Sequence, residues 1–463
     1  MTLPRILARS EHPISRGYID PDALRILYRL HRSGYKGYLV GGSVRDLMMG
    51  RTPKDFDVGT DARPHEIRRL FRNSRVIGRR FRLAHVFFDG GKIVEVSTFR
   101  RRPEPVTVEP GAEGSEDLLI REDNTFGSPE EDALRRDFTI NGLFYDIASF
   151  AVLDYVGGVA DLERRLVRTI GDPETRFRED PVRMLRACEF AARLGFEMTG
   201  DLLAAVEDAK GEIRKSAAPR VTEELLDPLR RGWGAPTYRL WSSTGLLGVL
   251  LPELQARVER ASEPVGAEVF WRMLAEADRR RTEGEILPEP ALLGILFLPM
   301  VLTAIRQASG GAARMDPGRL LAVLEDVVNP IAVRLSLPNH STHMVKQGLY
   351  TMGRLAETRP GDPRSRRVVG KAYFPVALTL LSLYAAASGR YQGAADAWEE
   401  VVARAGPRQR HAGEAHPAAP FPEALVPPPA LFARAELPPP SGTASRRRRS
   451  RPRRRKASGH ANP

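Results

Sequence analysis

Two carboxylates two residues apart, in Lys54-Asp55-Phe56-Asp57-Val58, are the side chains in this sequence best suited to chemistry. On an extended segment, side chains at i and i+2 share a face, so Asp55 and Asp57 can grip one hard cation through oxygen. Mg2+ suits such sparse coordination, because waters and phosphate oxygens complete its octahedron. Two such ions can activate a hydroxyl nucleophile and steady a departing pyrophosphate. Taken alone, an Asp-x-Asp pair is more often two ordinary acids on a solvent-facing strand. The preceding residues change that reading. Val40-Gly41-Gly42-Ser43-Val44-Arg45-Asp46 has the order strand, glycine turn, helix start. Gly42 lets backbone approach a triphosphate closely, the free N–H groups of a helix start favour anions, and Arg45 adds a cation for phosphate oxygens.

Other residues fit the same chemistry. A third acid is supplied either by Asp137, which follows Arg135 and Arg136, or by Glu95, which stands between Val94 and Val96 and leaves a strand on the face opposite them. Asp180, Arg183 and Arg186 step by three residues and fall near one helical face. Pro181 makes Asp180 a natural helix N-cap. As a pair, a carboxylate and an arginine can also read a base. The carboxylate accepts from the adenine N6 amino group while the arginine donates to N1. Cytosine offers the same order through N4 and N3, and guanine and uracil the reverse. His85 reads as structural, and Asn339-His340-Ser341-Thr342-His343 as a polar loop, since no acidic ligand lies close to it.

The elements that position these residues are legible in outline. Asp20 caps a helix with Pro21 in its first turn, and Leu24, Leu27, Tyr28 and Leu30 mark its apolar stripe. Tyr38 to Val40 reads as a buried strand, Asp55 to Val58 as a strand with one polar face, and Glu66 to Phe71 as helix. Val86 to Phe88 and Ile93 to Val96 flank Asp89-Gly90-Gly91, a hairpin signal. Residues 101–132, rich in Pro, Gly and Glu, read as a mobile excursion. From about residue 160 the periodicity is almost wholly helical, punctuated by Pro219 and by Arg231-Gly232-Trp233-Gly234.

The 463 residues are 42% hydrophobic and 28% charged, ordinary values for a soluble globular chain. No apolar run approaching about 20 residues is evident, and there is no signal-peptide pattern, so a cytoplasmic protein with no membrane contact is expected. Cys188 is the single cysteine, which excludes an internal disulfide and a cysteine-ligated zinc site. The net charge is +13, and nine arginines and lysines lie between Arg446 and Lys456. Such a tail, preceded by Pro- and Ala-rich sequence from Gly406, suits sequence-independent contact with phosphates.

Three segments, in this order, resemble the class II tRNA nucleotidyltransferase and bacterial poly(A) polymerase superfamily. They are Gly41 to Leu47 with Pro53 to Val58, then Arg135-Arg136-Asp137-Phe138-Thr139-Ile140-Asn141-Gly142, then Arg178-Glu179-Asp180-Pro181-Val182-Arg183-Met184-Leu185-Arg186. The resemblance implies catalysis by Asp55, Asp57 and Asp137, with Mg2+ on Asp55 and Asp57. It implies nucleotide binding by Gly42, Arg45, Arg136, Asp180, Arg183 and Arg186, and a ribose contact from Asn141. The Asp180–Arg183 pair is implied to stand in for a nucleic-acid template. Glu189 occupies a place where many relatives carry another arginine.

The implied fold is α+β. An N-terminal arm (residues 1–17) precedes a mixed α/β, polymerase β-like nucleotidyltransferase head (18–160). A helical neck (161–235), a helical RNA-binding body (236–405) and a disordered basic tail (406–463) follow. The segment from Arg75 to Val86 resembles the stretch that separates poly(A) polymerases from CCA-adding relatives, although residue chemistry yields no ATP preference from it. The implied activity is transfer of AMP from ATP to RNA 3′ ends. The alternatives are CCA addition to tRNA and an idle RNA-binding protein of the same fold. The tail is expected to contact RNA or an RNA-decay partner, and the protein to be a monomer.

Overall fold

The structure is a computed structural model that describes residues 4–78, 82–102, 125–259, 267–310, 315–362 and 368–404. The basic tail, most of the 101–132 excursion, and Arg79 to Phe81 of the discriminating segment lie outside the described residues.

The chain begins with β1 (Arg5–Leu7), in the stretch expected to be an arm. Burial of Leu7 and Ile14 ties this stretch to the sheet edge. Helix α1 (Pro21–Arg32) follows, with Asp20 Oδ1 accepting from the backbone of Asp22 at 2.9 Å and Ala23 at 3.3 Å. Ala23, Ile26, Leu27 and Leu30 form its buried stripe. Next come β2 (Gly37–Val40), α2 (Gly42–Met48), β3 (Val58–Thr60) and α3 (Pro64–Leu70). After them stand β4 (Ser74–Ile77) and the hairpin of β5 (Leu83–Phe87) and β6 (Ile93–Thr98) around Asp89-Gly90-Gly91. Helix α4 (Pro129–Arg135) falls at the end of the expected excursion. Its reciprocal cap explains why it forms, with Ser128 Oγ accepting from Glu131 N at 3.2 Å and Glu131 Oε2 from Ser128 N at 2.7 Å. Strands β7 (Leu143–Asp146) and β8 (Ala151–Asp154) complete the sheet.

The eight strands run in the order β1-β8-β7-β2-β3-β6-β5-β4. Every pairing is antiparallel except β3 with β6, which is parallel with Val58 opposite Val96. Strand β3 begins only at Val58, so Asp55 to Asp57 form an extended approach to it rather than strand proper. The Asp57 carbonyl still accepts from Val40 N at 3.1 Å, which holds this approach beside β2.

Beyond the sheet lie α5 (Gly158–Arg164), the short parallel pair β9 (Leu166–Val167) and β10 (Glu197–Met198), α6 (Pro173–Glu179), α7 (Val182–Leu194), α8 (Gly200–Ala209) and α9 (Ala218–Arg231). The remaining helices are α10 (Gly234–Ser243), α11 (Leu246–Leu250), α12 (Pro252–Val258), α13 (Ala267–Thr282), α14 (Glu289–Ser309), α15 (Pro317–Arg334), α16 (Asn339–Glu357), α17 (Phe374–Ser388) and α18 (Gln392–Arg404). One apolar cluster runs from Phe138 and Ile140 through α7 into these helices, and a second fills the sheet side around Leu39, Val58, Val86 and Val96.

Two expectations change here. Helix α14 is long and apolar enough to cross a bilayer by length and composition, which the absence of a long apolar run did not anticipate. Its apolar residues from Ala291 to Leu302 are buried among other helices, and that packing accounts for its composition. The stretch from Asn339 to His343 is the first turn of α16, not a loop. Pro338 stands just before it, where a missing N–H is no loss.

Candidate active site

The site is assembled where β2 ends. Gly41 has φ +68°, in the left-handed region that favours glycine, and turns the chain into α2. A Cβ added there would lie 2.9 Å from Arg136 Nη1, so the turn admits a guanidinium against its backbone. Gly42 opens α2, and Ser43 Oγ donates to Val40 O at 3.1 Å.

Because Val58 pairs with Val96 in a parallel ladder, Asp57 and Glu95 precede partnered residues on adjacent strands. Val58, Val94 and Val96 are buried on one face, so Asp57 and Glu95 leave on the other. The electrostatics agree. Burial first, then Glu95 and Asp55, with Arg136 opposing them, together raise the Asp57 carboxyl to about 6. Directly opposite Glu95 in the β5–β6 ladder stands His85, with Nε2 3.1 Å from Glu95 Oε1. The three carboxylates Asp55, Asp57 and Glu95 thus make one anionic face beside Arg136.

Asp137, favoured by the resemblance as third acid, is held elsewhere. Its Oδ2 accepts from Arg186 Nε at 3.0 Å and Nη2 at 2.8 Å. Its Oδ1 accepts from Asn141 Nδ2 at 3.1 Å and from Phe138 N at 2.8 Å. Burial alone would raise its pKa, but Arg186 and these hydrogen bonds carry it down to about 2. The ladder thus places Glu95 beside the pair, while Asp137 is tied to α7 through Arg186.

Arg45 also departs from expectation. It is buried, with Nε donating to Asp46 Oδ1 at 2.8 Å and Nη1 to Asn141 Oδ1 at 2.6 Å, and its guanidinium lies over Phe190. Full engagement with protein partners makes it a brace for α2 rather than an open phosphate ligand. Asn141 has both ends of its amide occupied, by Arg45 and Asp137, so it ties α2 to the Asp137 turn instead of presenting itself to a ribose. Arg136 is fixed by Asp132, through Nε at 3.1 Å and Nη2 at 3.0 Å, and is the cation nearest the acids.

At the start of α7 the structure redistributes the base-reading residues. Asp180 does not cap a helix with its side chain. Both its oxygens accept from Arg220 on α9, each at 2.7 Å. Arg183 Nη1 donates to Arg176 O at 3.0 Å and Glu179 Oε2 at 3.1 Å. Asp180 and Arg183 are neighbours that face partners on different elements. Arg186, paired with Asp137, also approaches Glu224 at 3.8 Å. Arg220 and Glu224 were missed from the sequence. Their spacing of four on a helix was the available signal, but nothing local says which residues they meet.

Among the described residues no group of three His, Cys, Asp or Glu side chains closes around an ion. A cation held by Asp55 and Asp57 would therefore take the rest of its shell from phosphate oxygens and water. Burial, with Glu95 and Asp55 adding to it, raises the Asp57 pKa despite Arg136, and a bound cation would relieve that cost.

Comparison with known proteins gives the following. Residues 37–168 match the family described as poly A polymerase head domain, and residues 195–257 match one described as probable RNA and SrmB-binding site of polymerase A. The chain is 38% identical over 411 residues to poly(A) polymerase I of Salmonella typhi, covering 88% of this chain and 87% of that protein. It is 40% identical over 225 residues to the CCA-adding enzyme of Bacillus pumilus, covering 48% of this chain and 53% of that enzyme. Among solved structures, the Bacillus stearothermophilus CCA-adding enzyme in complex with CTP matches with a TM-score of 0.55 and 27% identity, covering 83% of this chain and 82% of that one.

Proposed function

The chain belongs to the poly(A) polymerase family, and from that premise we propose that it extends RNA 3′ ends with AMP from ATP, without a template, and releases pyrophosphate. The observation that carries the reaction is the shared face of Asp55, Asp57 and Glu95 beside the Gly41 turn and Arg136. These carboxylates would hold Mg2+, which when bound neutralises charge on the entering and leaving oxygens of the α-phosphate. Arg136 lies close enough to draw the phosphates towards the acids, and its Asp132 clamp fixes where it points.

Base selection falls to the start of α7. An ionised carboxylate offers about four acceptor sites, so Asp180 can hold Arg220 and still accept from an adenine N6 amino group. Only Nη1 of Arg183 has a protein partner among the described residues, which leaves the rest of its fork to donate to N1. The Arg220 pair holds Asp180 fixed in position, as a reader of amino groups must be.

The same donor–acceptor order would accept cytosine, and the likeness to a CTP-bound structure favours CCA addition as the second reading. Similarity to poly(A) polymerase I across most of both chains supports the ATP reading over it. Incubation with generic RNA, or with tRNA lacking its CCA end, and with ATP or CTP in turn separates them. A long ladder with ATP alone is expected. A defined three-nucleotide addition on tRNA would overturn the reading, and no extension of either RNA would favour an idle binding protein.

His85 is expected to matter through Glu95. His85→Ala should lower the rate of AMP addition about tenfold, the size typical of residues that orient a metal-binding carboxylate. His85→Gln, which keeps a donor, should recover part of it. Equal rates for wild type and His85→Ala in a single-turnover assay would remove His85 from the site.

A further inference from the structure

We propose that a basic cavity on the far side of the catalytic acids seats the RNA strand behind its reacting 3′ end, gripping its phosphates and stacking one of its bases. This rests on the reading that RNA is the acceptor.

The cavity has a volume of about 680 Å3 and lies where the loop after α2 meets the ends of α7, α9 and α13. Six cationic side chains line it against three carboxylates. The carboxylates are already neutralised. Asp46 pairs with Arg45 at 2.8 Å, Asp227 with Arg231 at 2.8 Å, and Glu223 with Arg230. Arg51 and Lys54 are exposed and have no ion-pair partner among the described residues. Arg281 is held by two carbonyls, those of Arg230 at 2.7 Å and Glu285 at 2.5 Å, which fix its position, and its charge also acts on the Glu285 carboxylate. Arg51 and Lys54 thus leave two unpaired positive charges on one concavity, with Arg281 beside them, which suits a chain of phosphates.

Trp233 makes this a nucleic-acid seat rather than a generic anion site. It lines the cavity and is partly exposed, and a flat aromatic face beside cations is how single strands are held without sequence preference. The turn that carries it is rigid. Gly232 has φ +83°, a Cβ there would meet Asp278 O at 3.1 Å, and Asp278 accepts from Gly234 N at 2.8 Å and Ala235 N at 2.7 Å.

Position points to the acceptor strand. Lys54 precedes Asp55, so the cavity wall runs straight into the acid pair. Arg193, also in the wall, lies ten residues beyond Arg183 on α7, roughly 15 Å along the helix at 1.5 Å per residue. A nucleotide read at Asp180 and Arg183 with its α-phosphate at the acids leaves the cavity to what approaches from the other side. The triphosphate tail is the competing source of phosphate, and Trp233 favours RNA over it.

The test uses the full chain and an oligoadenylate ending in 3′-deoxyadenosine, followed by fluorescence anisotropy across a salt series without ATP. Arg51→Ala should reduce the slope of log affinity against log salt by about 1, and Arg51→Glu should weaken binding about tenfold. Trp233→Leu should weaken binding about tenfold with little change in slope. The KM for ATP, measured in extension assays, should stay the same in all three. Unchanged RNA affinity and slope in the Arg51 variants overturns the proposal; these exposed substitutions leave the fold intact even if Trp233→Leu does not fold. A raised ATP KM with unchanged RNA affinity also overturns it and assigns the cavity to the triphosphate. The two readings fail separately. Extension that ignores these substitutions sinks only the cavity, whereas RNA held there by a protein that never extends it sinks only the polymerase.

Discussion

Asp57→Asn is expected to slow AMP addition by about 10³-fold or more and, at the same time, to stabilise the metal-free protein at neutral pH. The first effect follows from removing one of the carboxylates that would carry the cation. The second follows from the apo electrostatics. The Asp57 pKa rises from 3.8 to about 6 in the folded protein, because of burial and the neighbouring Glu95 and Asp55. A raised carboxylate pKa means that the folded state binds the proton more tightly than the unfolded one. The associated stability is full below about pH 4 and is lost as pH rises through about 6. At pH 7 the ionised group therefore costs on the order of 2 kcal/mol, and the amide removes that cost. Thermal melts across this window should show wild type losing stability as pH rises while Asp57→Asn stays flat. Magnesium should raise the melting temperature of wild type more than that of the variant. A variant that loses both activity and stability at pH 7 would contradict the placement of Asp57 in a repelling cluster.

Asp137→Asn is expected to behave in the opposite way. Its carboxylate accepts two hydrogen bonds from Arg186, which anchors α7 to the head. Removing one partner of this partly exposed pair costs about 1 to 2 kcal/mol, less than for a fully buried pair because water screens Arg186. The sign with pH is also reversed. The folded pKa is depressed from 3.8 to about 2, so the contribution is present above 3.8 and is lost as pH falls towards 2. Urea unfolding should give a lower midpoint for Asp137→Asn at pH 7 and a shallower acid limb. Activity should fall as well, since α7 carries Arg183 in its first turn and follows directly on Asp180. Restoration of activity by conditions that restore the fold, such as added osmolyte, would mark the loss as positional. Unchanged stability with complete loss of metal-dependent activity would instead make Asp137, not Glu95, the third acid.

The contrast between these two aspartates also marks what was legible in the residues alone. Asp55 and Asp57 could be read because their relation is local: two residues on extended backbone share a face whatever surrounds them. The Gly41 turn, the capped α1 and the hairpin around Asp89-Gly90-Gly91 were legible for the same reason, since each rests on backbone preference over a few residues. Where a side chain's partner lies dozens of residues away, sequence could state only its chemistry. The parallel pairing of β3 with β6 brought Glu95 to Asp57, and no pattern within either strand specifies that register. Arg186 claimed Asp137, Arg220 claimed Asp180, and Asn141 claimed Arg45, three long-range contacts that no local pattern specifies. Spacing suggested one helical face for Asp180, Arg183 and Arg186, but α7 begins only at Val182, and partners on α9, on α6 and at the Asp137 turn decided what each would touch. Local spacing thus nominated the acids, and the resemblance of three ordered motifs implied the reaction. Only tertiary packing decided which of its acids stand free to meet a cation, because burial and opposite charge are properties of neighbours that the chain brings together by folding.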